Sequence, residues 1–96
     1  MIPDSATVAV TDRQVSTDVE GEAVILHFEA GIYYGLDGVG ARVWEWLRSP
    51  VTVSELQARL VSEYEVDPAQ CAADLRNLLQ ELADAGLVEV ADAGAA

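Results

Sequence analysis

The periodicity of the apolar residues changes in the middle of this chain, within the segment GIYYGLDGVGARVWEWL at residues 31–47. Up to Leu36 the segment is a run of β-branched and aromatic residues, which is typical of a strand. Beyond it the apolar residues recur at spacings of three and four, as on one face of a helix: Val39, Val43, Trp44 and Leu47. The chain therefore divides into a strand-rich first half and a helical second half, which predicts an α+β domain.

The first half predicts a three-stranded antiparallel meander. AVILHF at 23–28 and IYYGL at 32–36 are its second and third strands, and either TVAVT at 7–11 or QVSTDV at 14–19 supplies the first. Short connections favour antiparallel pairing. Glycine-containing turns join these strands at Glu20-Gly21 and at 29–31.

Side-chain alternation gives the strand at 23–28 two faces. Val24, Leu26 and Phe28 lie on one face, and Ile25 and His27 lie on the other. We expect the face that carries His27 to be exposed to solvent.

Capping residues mark the helices of the second half. The first predicted helix covers about 38–48 and stops before Pro50, because the residue that precedes a proline is biased away from helical conformation. A second helix follows the capping box Thr52–Glu55. Its expected buried stripe is Leu56, Leu60, Val61 and Tyr64.

The third predicted helix has capping signals at both ends. Asp67 is suited to the N-cap and Pro68 to the first turn, and Gly86 is suited to the C-terminal cap. LVEV at 87–90 predicts a final short extended segment. The order of three strands followed by three helices predicts a winged helix-turn-helix-like α+β fold. The apolar stripe of the third helix is Cys71, Leu75, Leu78, Leu79 and Leu82.

The length of 96 residues predicts a single domain over 1–96. The ends, MIPDSA at 1–6 and ADAGAA at 91–96, are rich in small and polar residues, so we expect flexible tails around an ordered core at about 7–90. No apolar stretch is long enough to cross a membrane, and the amino terminus does not resemble a signal peptide. We therefore expect a cytoplasmic protein.

The charge of the chain disfavours nucleic-acid and anionic-membrane partners. Seventeen acidic residues stand against five arginines, with no lysine, for a formal charge of -12. Such a charge repels phosphates. The third predicted helix, where a winged helix would read DNA, has one arginine against four acids. A winged-helix regulator that binds DNA or protein nevertheless stays open as the alternative function.

The sequence contains little that could support catalysis. With one cysteine, Cys71, and one histidine, His27, it can form neither an internal disulfide nor a structural zinc site. Ser54 beside a helix start is explained by capping, and the glycines at 35, 38 and 40 lack the Lys-Ser/Thr of a phosphate loop. We therefore expect a protein that is not an enzyme, with no catalytic residues, no metal and no cofactor.

Three segments in this order resemble the PqqD-like proteins, also called recognition elements for ribosomally synthesised and post-translationally modified peptides. They are the turn and strand GIYYGLD at 31–37, the helix from Gly40 to Trp44, and the ending from Asp74-Leu75 to Gly86-Leu87-Val88. The likeness runs from about Val15 to Val90 and is greatest to the stand-alone members from lasso peptide gene clusters.

The resemblance implies a function. Such proteins bind the leader of a precursor peptide and present it to a modifying enzyme, which in split lasso systems is a separate leader peptidase, a transglutaminase-like cysteine protease. In the family the leader adds as an antiparallel strand to the third strand, in a cleft against the third helix. Transferred to this chain, the peptide-binding residues are Ile32, Tyr33, Tyr34, Gly35 and Leu36 on the strand, and Cys71, Asp74, Leu75 and Leu78 on the helix.

Strand addition is consistent with the residues of this edge. An unpaired edge strand offers free N–H and C=O groups to a partner, and no proline or lysine blocks 32–36. Tyr33 and Tyr34 must point to opposite faces, one to the core and the other to a groove or solvent, and the sequence leaves their assignment open. The residues expected in the core are Tyr34, Leu36, Trp44, Leu47, Leu79 and Leu82.

Overall fold

The computed structural model describes residues 2–3 and 5–92, and it contains three helices and two antiparallel sheets of three strands each. The predicted α+β architecture, with a three-stranded antiparallel sheet and three helices, is confirmed. In chain order the elements are β1 (Ala6–Val10), β2 (Gln14–Val19), β3 (Glu22–His27), β4 (Ile32–Leu36), α1 (Gly38–Trp46), β5 (Val51–Thr52), α2 (Val53–Glu63), α3 (Pro68–Asp84) and β6 (Val88–Asp92).

The predicted meander is the sheet β2-β3-β4. A two-residue turn joins β2 to β3, and both turn residues have positive φ, 52° at Glu20 and 84° at Gly21. A two-residue turn in which both residues have positive φ has a backbone twist that matches the right-handed twist of the two strands it connects. Before β4, Gly31 has a φ of 67°, and its N–H donates to the carbonyl of His27 over 2.8 Å. The two predicted turns are therefore confirmed.

A second sheet, in the order β5-β1-β6, was not predicted from the sequence. Both candidate first strands exist, since 7–11 overlaps β1 and 14–19 is β2, but they belong to different sheets. β1 is the central strand: Val8 is opposite Val51 on one side and Val90 on the other. The extended segment expected at 87–90 thus forms most of β6, and it pairs with the beginning of the chain.

The capping residues act as the sequence predicts. The hydroxyl of Thr52 accepts a hydrogen bond from the N–H of Glu55, and a carboxylate oxygen of Asp67 accepts one from the N–H of Gln70, each over 3.2 Å. At the end of α3, Gly86 has a φ of 77°, and the N–H of Leu87 donates to the carbonyl of Leu82 over 2.9 Å. This is the glycine-terminated cap that leads the chain into β6.

The core lies between the helices and the inner faces of both sheets. Trp44 is its largest fully buried side chain, and its indole N–H donates to the Ser16 hydroxyl over 3.2 Å, which joins α1 to β2. Leu47, Leu79 and Leu82 are buried as expected. Tyr34 and Leu36 are half-buried and pack against this core.

The expected exposure of His27 is wrong. Its side chain is 8% exposed and shares the buried face of β3 with Ala23 and Ile25, whereas Phe28 is exposed. The expected stripe of α2 is also wrong at Val61, which is exposed, while Val53 is buried at the start of that helix. The reason is that α2 turns its Val53–Leu56–Leu60 side to the core, and Val61 lies beyond the edge of that side.

The structure describes part of each segment that was expected to be a tail. Ile2 and Ala6 are buried, and the carbonyl of Ile2 accepts a hydrogen bond from Arg76 Nε over 3.1 Å. At the other end β6 continues to Asp92. The remaining parts of the expected tails, residues 1, 4 and 93–96, lie outside the described residues.

Candidate functional site

β4 is an edge strand of the sheet β2-β3-β4, because in the described part of the chain it pairs with β3 alone. The register sets His27 opposite Ile32, Ile25 opposite Tyr34 and Ala23 opposite Leu36. One side of β4 is therefore occupied by β3. Its other side leaves a row of backbone groups that no described strand pairs.

The hydrogen bonds around β3 indicate which backbone groups of β4 face the open side. The N–H of Phe28 points toward the β2 side, where it donates to the carbonyl of Arg13 over 3.3 Å. Because backbone groups alternate along a strand, those of His27 point the other way, toward β4. The hydrogen bond from Gly31 to the His27 carbonyl agrees with this direction.

The consequence for β4 follows from its register. Ile32 is opposite His27, so Ile32, Tyr34 and Leu36 direct their backbone groups to β3. Tyr33 and Gly35, which alternate with them, direct their N–H and C=O groups away from β3. The open edge is thus formed by the peptide groups of Tyr33 and Gly35.

The space around this edge is free. The side chain of Tyr33 is 70% exposed, and a Cβ built on Gly35 has no heavy atom within 4 Å beyond its chain neighbours. Tyr34 is half-buried on the core side of the strand. The two adjacent tyrosines therefore have different roles: Tyr34 packs against the core and Tyr33 projects outward.

The expected helix residues meet in one groove of about 410 Å³. Cys71, Asp74, Leu75 and Leu78 all line it from α3. None of the strand residues 32–36 is among its lining residues, but Val39, shortly after β4, is. The structure thus brings the helix residues of the candidate site together in the groove, whereas the strand residues form a separate open edge. The start of α1, which contains Val39, connects the strand to the groove along the chain. The other lining residues are Val43, Leu60, Tyr64, Val66, Asp67 and Gln70.

The groove combines an apolar floor with an acidic rim. Leu75 and Cys71 are buried at its floor, and Leu78 is half-buried. At the rim, the Gln70 side-chain amide donates to a carboxylate oxygen of Asp74 over 2.9 Å. No Lys or Arg is among the lining residues. Such a groove suits an apolar side chain of a bound partner, with neutral or basic neighbours at its mouth.

Cys71 supplies the one thiol among the lining residues of this groove. Burial raises the pKa of the Cys71 thiol above its ordinary value, and the nearby Asp74 carboxylate raises it further. Both effects disfavour the thiolate, which is the nucleophilic form. The thiol is accordingly suited to pack as a small apolar group.

Part of this groove was not predicted from the sequence. Val43, Leu60 and Tyr64 were assigned to packing, and Asp67 to a helix cap. These assignments are compatible with lining a groove, because a core or cap residue can also expose part of its surface to the groove. The loop that carries Val66 into α3 was the available signal, since it places an exposed valine beside the helix start.

The structure shows no group of three or more His, Cys, Asp or Glu side chains, within residues 2–3 and 5–92, arranged to hold a metal ion. His27 lies outside the groove, and its Nδ1 accepts a hydrogen bond from the Ala30 N–H over 3.2 Å. In the same described ranges, no helix has the length and apolar character that a membrane crossing requires.

Comparison with known proteins identifies the family. Residues 22–88 match the family described as coenzyme PQQ synthesis protein D (PqqD). The chain belongs to the PqqD family. The matched PqqD region begins at β3 and ends in β6, so it contains both the open edge of β4 and the whole of the groove.

Two solved structures are similar to this PqqD protein. One is described as TbiB1 in complex with the TbiA(beta) leader peptide; it is 37% identical, with a TM-score of 0.80 over 84% of this chain and 94% of that one. The other is described as lasso peptide synthetase B1 complexed with the leader peptide; at 21% identity and a TM-score of 0.77, over 85% of this chain and 96% of that one, it supports the fold. Among curated proteins, none matches this chain.

Proposed function

We propose that this PqqD protein binds the leader of a ribosomally made precursor peptide, of the lasso class, by adding it as a strand to β4. The observation that carries the proposal is the open edge at Tyr33 and Gly35, which leads through Val39 to an apolar groove. Main-chain pairing along such an edge supplies affinity, and side-chain pockets supply specificity. The TbiB1 structure, 37% identical to this chain, contains a leader peptide, which supports the same ligand class here.

The peptide would use the two parts of the site differently. Its backbone pairs with the peptide groups of Tyr33 and Gly35, while an apolar side chain enters the groove against Leu75 and Leu78. Gly35 lets the incoming backbone approach closely, because there is no side chain at this position. In this proposal Cys71 and Asp74 contact the peptide at the groove floor and rim.

We further propose that the protein is an adaptor without chemistry of its own. It hands the bound precursor to a leader peptidase of the transglutaminase-like cysteine protease type, or to another modifying enzyme. The buried and protonated state favoured for the Cys71 thiol is consistent with this role, because a nucleophilic cysteine needs a lowered pKa. A cytoplasmic location goes with a partner peptide that is made on ribosomes.

A titration by fluorescence polarisation tests leader binding. The probes are a fluorescein-labelled leader segment of the cognate precursor, the TbiA(beta) leader peptide, and a scrambled leader as the control. We expect saturable binding of the first, weaker binding of the second and none of the third. Saturable, salt-sensitive binding of duplex DNA without leader binding would instead support the winged-helix regulator.

A further inference from the structure

Strand β2 points its apolar side chains away from the protein body. Val15 and Val19 are 57% and 50% exposed, whereas Ser16, which alternates with Val15, lies on the inner face and accepts the hydrogen bond from Trp44. A strand that serves only to cover a core has the opposite alternation, with its apolar residues inward. Two exposed valines are ordinary on a protein surface, and they become informative only where they belong to a larger apolar patch.

The apolar surface continues across all three strands of the sheet. Val15 is opposite Leu26, and Leu26 is opposite Tyr33, so the three side chains form one cross-strand row. Val24 and Leu26 are only half-buried and are not among the side chains packed against the core. We call this surface the outer face; it comprises Val15, Thr17, Val19, Val24, Leu26 and Tyr33.

The outer face is continuous with the edge where the peptide is proposed to bind. Tyr33 belongs to both, with its peptide group on the open edge and its side chain on the outer face. A strand added to β4 extends the sheet, so every second side chain of the added peptide falls in line with the outer face. A protein that covers this face would therefore contact the bound peptide as well.

The charged residues around the outer face indicate which kind of partner could bind there. Glu20 and Glu22 lie at the turn between β2 and β3, and Asp12 and Glu29 adjoin the opposite ends of these strands. Arg13 is the only Arg or Lys among residues 12–29, and Arg42 and Arg48 line a groove together with Thr17. A second copy would bring the same acidic rim and a charge of -12 of its own, which opposes self-association. A partner with an apolar centre and a basic rim is complementary.

We propose that the outer face is the docking surface for the enzyme that acts on the bound peptide, and that this enzyme presents an apolar patch bordered by basic residues. The proposal rests on the proposed function, since it assigns a surface to the enzyme that receives the peptide. The outer face and the bound peptide would then form one continuous surface, so the enzyme would bind the adaptor–peptide complex more tightly than the free adaptor.

Substitutions on the outer face test the proposal. Val15→Glu adds a charge at its centre, and the double variant Val15→Thr/Val19→Thr removes apolar surface while it keeps the β-branched side chains that favour strands. Val61→Glu is the matched control, because Val61 is an exposed valine on α2, away from this sheet. Each variant is measured for leader affinity by fluorescence polarisation and for cleavage of the full precursor by its leader peptidase.

We expect both outer-face variants to bind leader as the wild type does but to reduce peptidase cleavage about tenfold or more at sub-saturating enzyme. Cleavage should also fall as salt rises, and Val61→Glu should match the wild type. Cleavage by the peptidase at the wild-type rate in the presence of Val15→Glu would overturn the proposal, as would a dimer in sedimentation velocity that this substitution dissociates. Failure of the wild type to bind leader would instead overturn the proposed function itself.

Discussion

The imidazole of His27 lies against the backbone of Gly86, so closely that a Cβ built on Gly86 would be 3.1 Å from His27 Nε2. His27 is the last residue of β3, and Gly86 follows the end of α3. Gly86 also accepts a hydrogen bond from the Thr11 hydroxyl over 3.0 Å. The contact between His27 and Gly86 joins the sheet β2-β3-β4 to the sheet β5-β1-β6, because β6 begins at Val88, shortly after Gly86.

The position of Gly86 leads to a prediction for stability. Its φ of 77° disfavours any residue with a side chain, and the ring of His27 leaves little space for one. Gly86→Ala should lower the free energy of unfolding by about 1–3 kcal/mol, measured by urea denaturation. Gly40→Ala is the control: it lies within α1, its added methyl group would be 3.6 Å from Leu36 Cδ2, and it should stabilise by about 0.5–1 kcal/mol. Equal changes in the free energy of unfolding for the two substitutions would contradict the conclusion that Gly86 occupies a position that excludes a side chain.

Features that depend on neighbours in sequence could be predicted from the sequence. The caps at Thr52 and Asp67 bond to an N–H three residues later, and the Glu20-Gly21 turn needs only its own two dihedral pairs. The central position of β1 could not be predicted, because its partners Val51 and Val90 lie far along the chain. Tertiary pairing of this kind leaves no local pattern.

The orientation of β3 shows a second limit. Its apolar residues occur on both faces, since Ala23 and Ile25 alternate with Val24 and Leu26. Alternation therefore separates two sets of side chains without indicating which set is buried, and His27 was assigned to the wrong side. The outer face has the same origin: when a strand is apolar on both faces, one face packs against the core and the other remains available to a partner.

The candidate site was predicted in part. The resemblance to the family located the helix residues that line the groove, and the strand edge at 32–36 is open as strand addition requires. The distribution of backbone groups along that edge could not be derived from the sequence, because it depends on how β2 and β3 pair. The groove residues of α1 and the α2–α3 connection were missed, because they have packing and capping roles as well.

The groove predicts different effects for two leucines of α3. Leu78 is half-buried and Leu75 is 2% exposed, although both line the groove. Leu78→Ser should lower leader affinity about tenfold while the free energy of unfolding falls by only about 1 kcal/mol. Leu75→Ala should cost about 2–5 kcal/mol of stability, because it leaves a cavity in the core.

Leader titrations and urea denaturation of the same preparations separate the two effects. Leu78→Met is the matched control, since it conserves volume and apolar character and should bind leader as the wild type does. Unchanged leader affinity in Leu78→Ser would exclude Leu78 from the peptide-binding surface.

Alkylation of Cys71 reports on occupancy of the groove. Burial and the Asp74 carboxylate raise the pKa of this thiol, so at neutral pH it holds its proton and little thiolate is present. Its reaction with iodoacetamide should therefore be slower than that of free cysteine, and its rate should continue to rise at pH values above the ordinary thiol pKa. Saturating leader should slow it further, because the peptide covers the groove.

Asp74→Asn is the control for the electrostatic part of this effect. Removal of the carboxylate should lower the pKa of Cys71 toward its ordinary value and speed alkylation at a given pH, while burial keeps part of the shift. The alkylation rate is measured by mass spectrometry over time. If saturating leader does not change this rate, the peptide does not cover Cys71.

Proline substitutions test pairing along β4. Proline has no N–H to donate, so Tyr33→Pro and Gly35→Pro each remove one hydrogen bond from the open edge and add steric bulk there. Both should abolish measurable leader binding in the polarisation titration, whereas Tyr33→Phe, which keeps the backbone and the ring, should change affinity only slightly. Binding by either proline variant at wild-type affinity would rule out pairing at that position.

Amide hydrogen exchange resolves the two sides of the strand one residue at a time. The amides of Ile32, Tyr34 and Leu36 point to β3 and should exchange slowly in the free protein, whereas those of Tyr33 and Gly35 should exchange fast. Leader should slow the exchange at Tyr33 and Gly35 and leave the other three amides nearly unchanged, because strand addition engages only the open side. Protection of Tyr33 and Gly35 before leader is added would mean that the edge is already covered, and strand addition would then be the wrong mechanism.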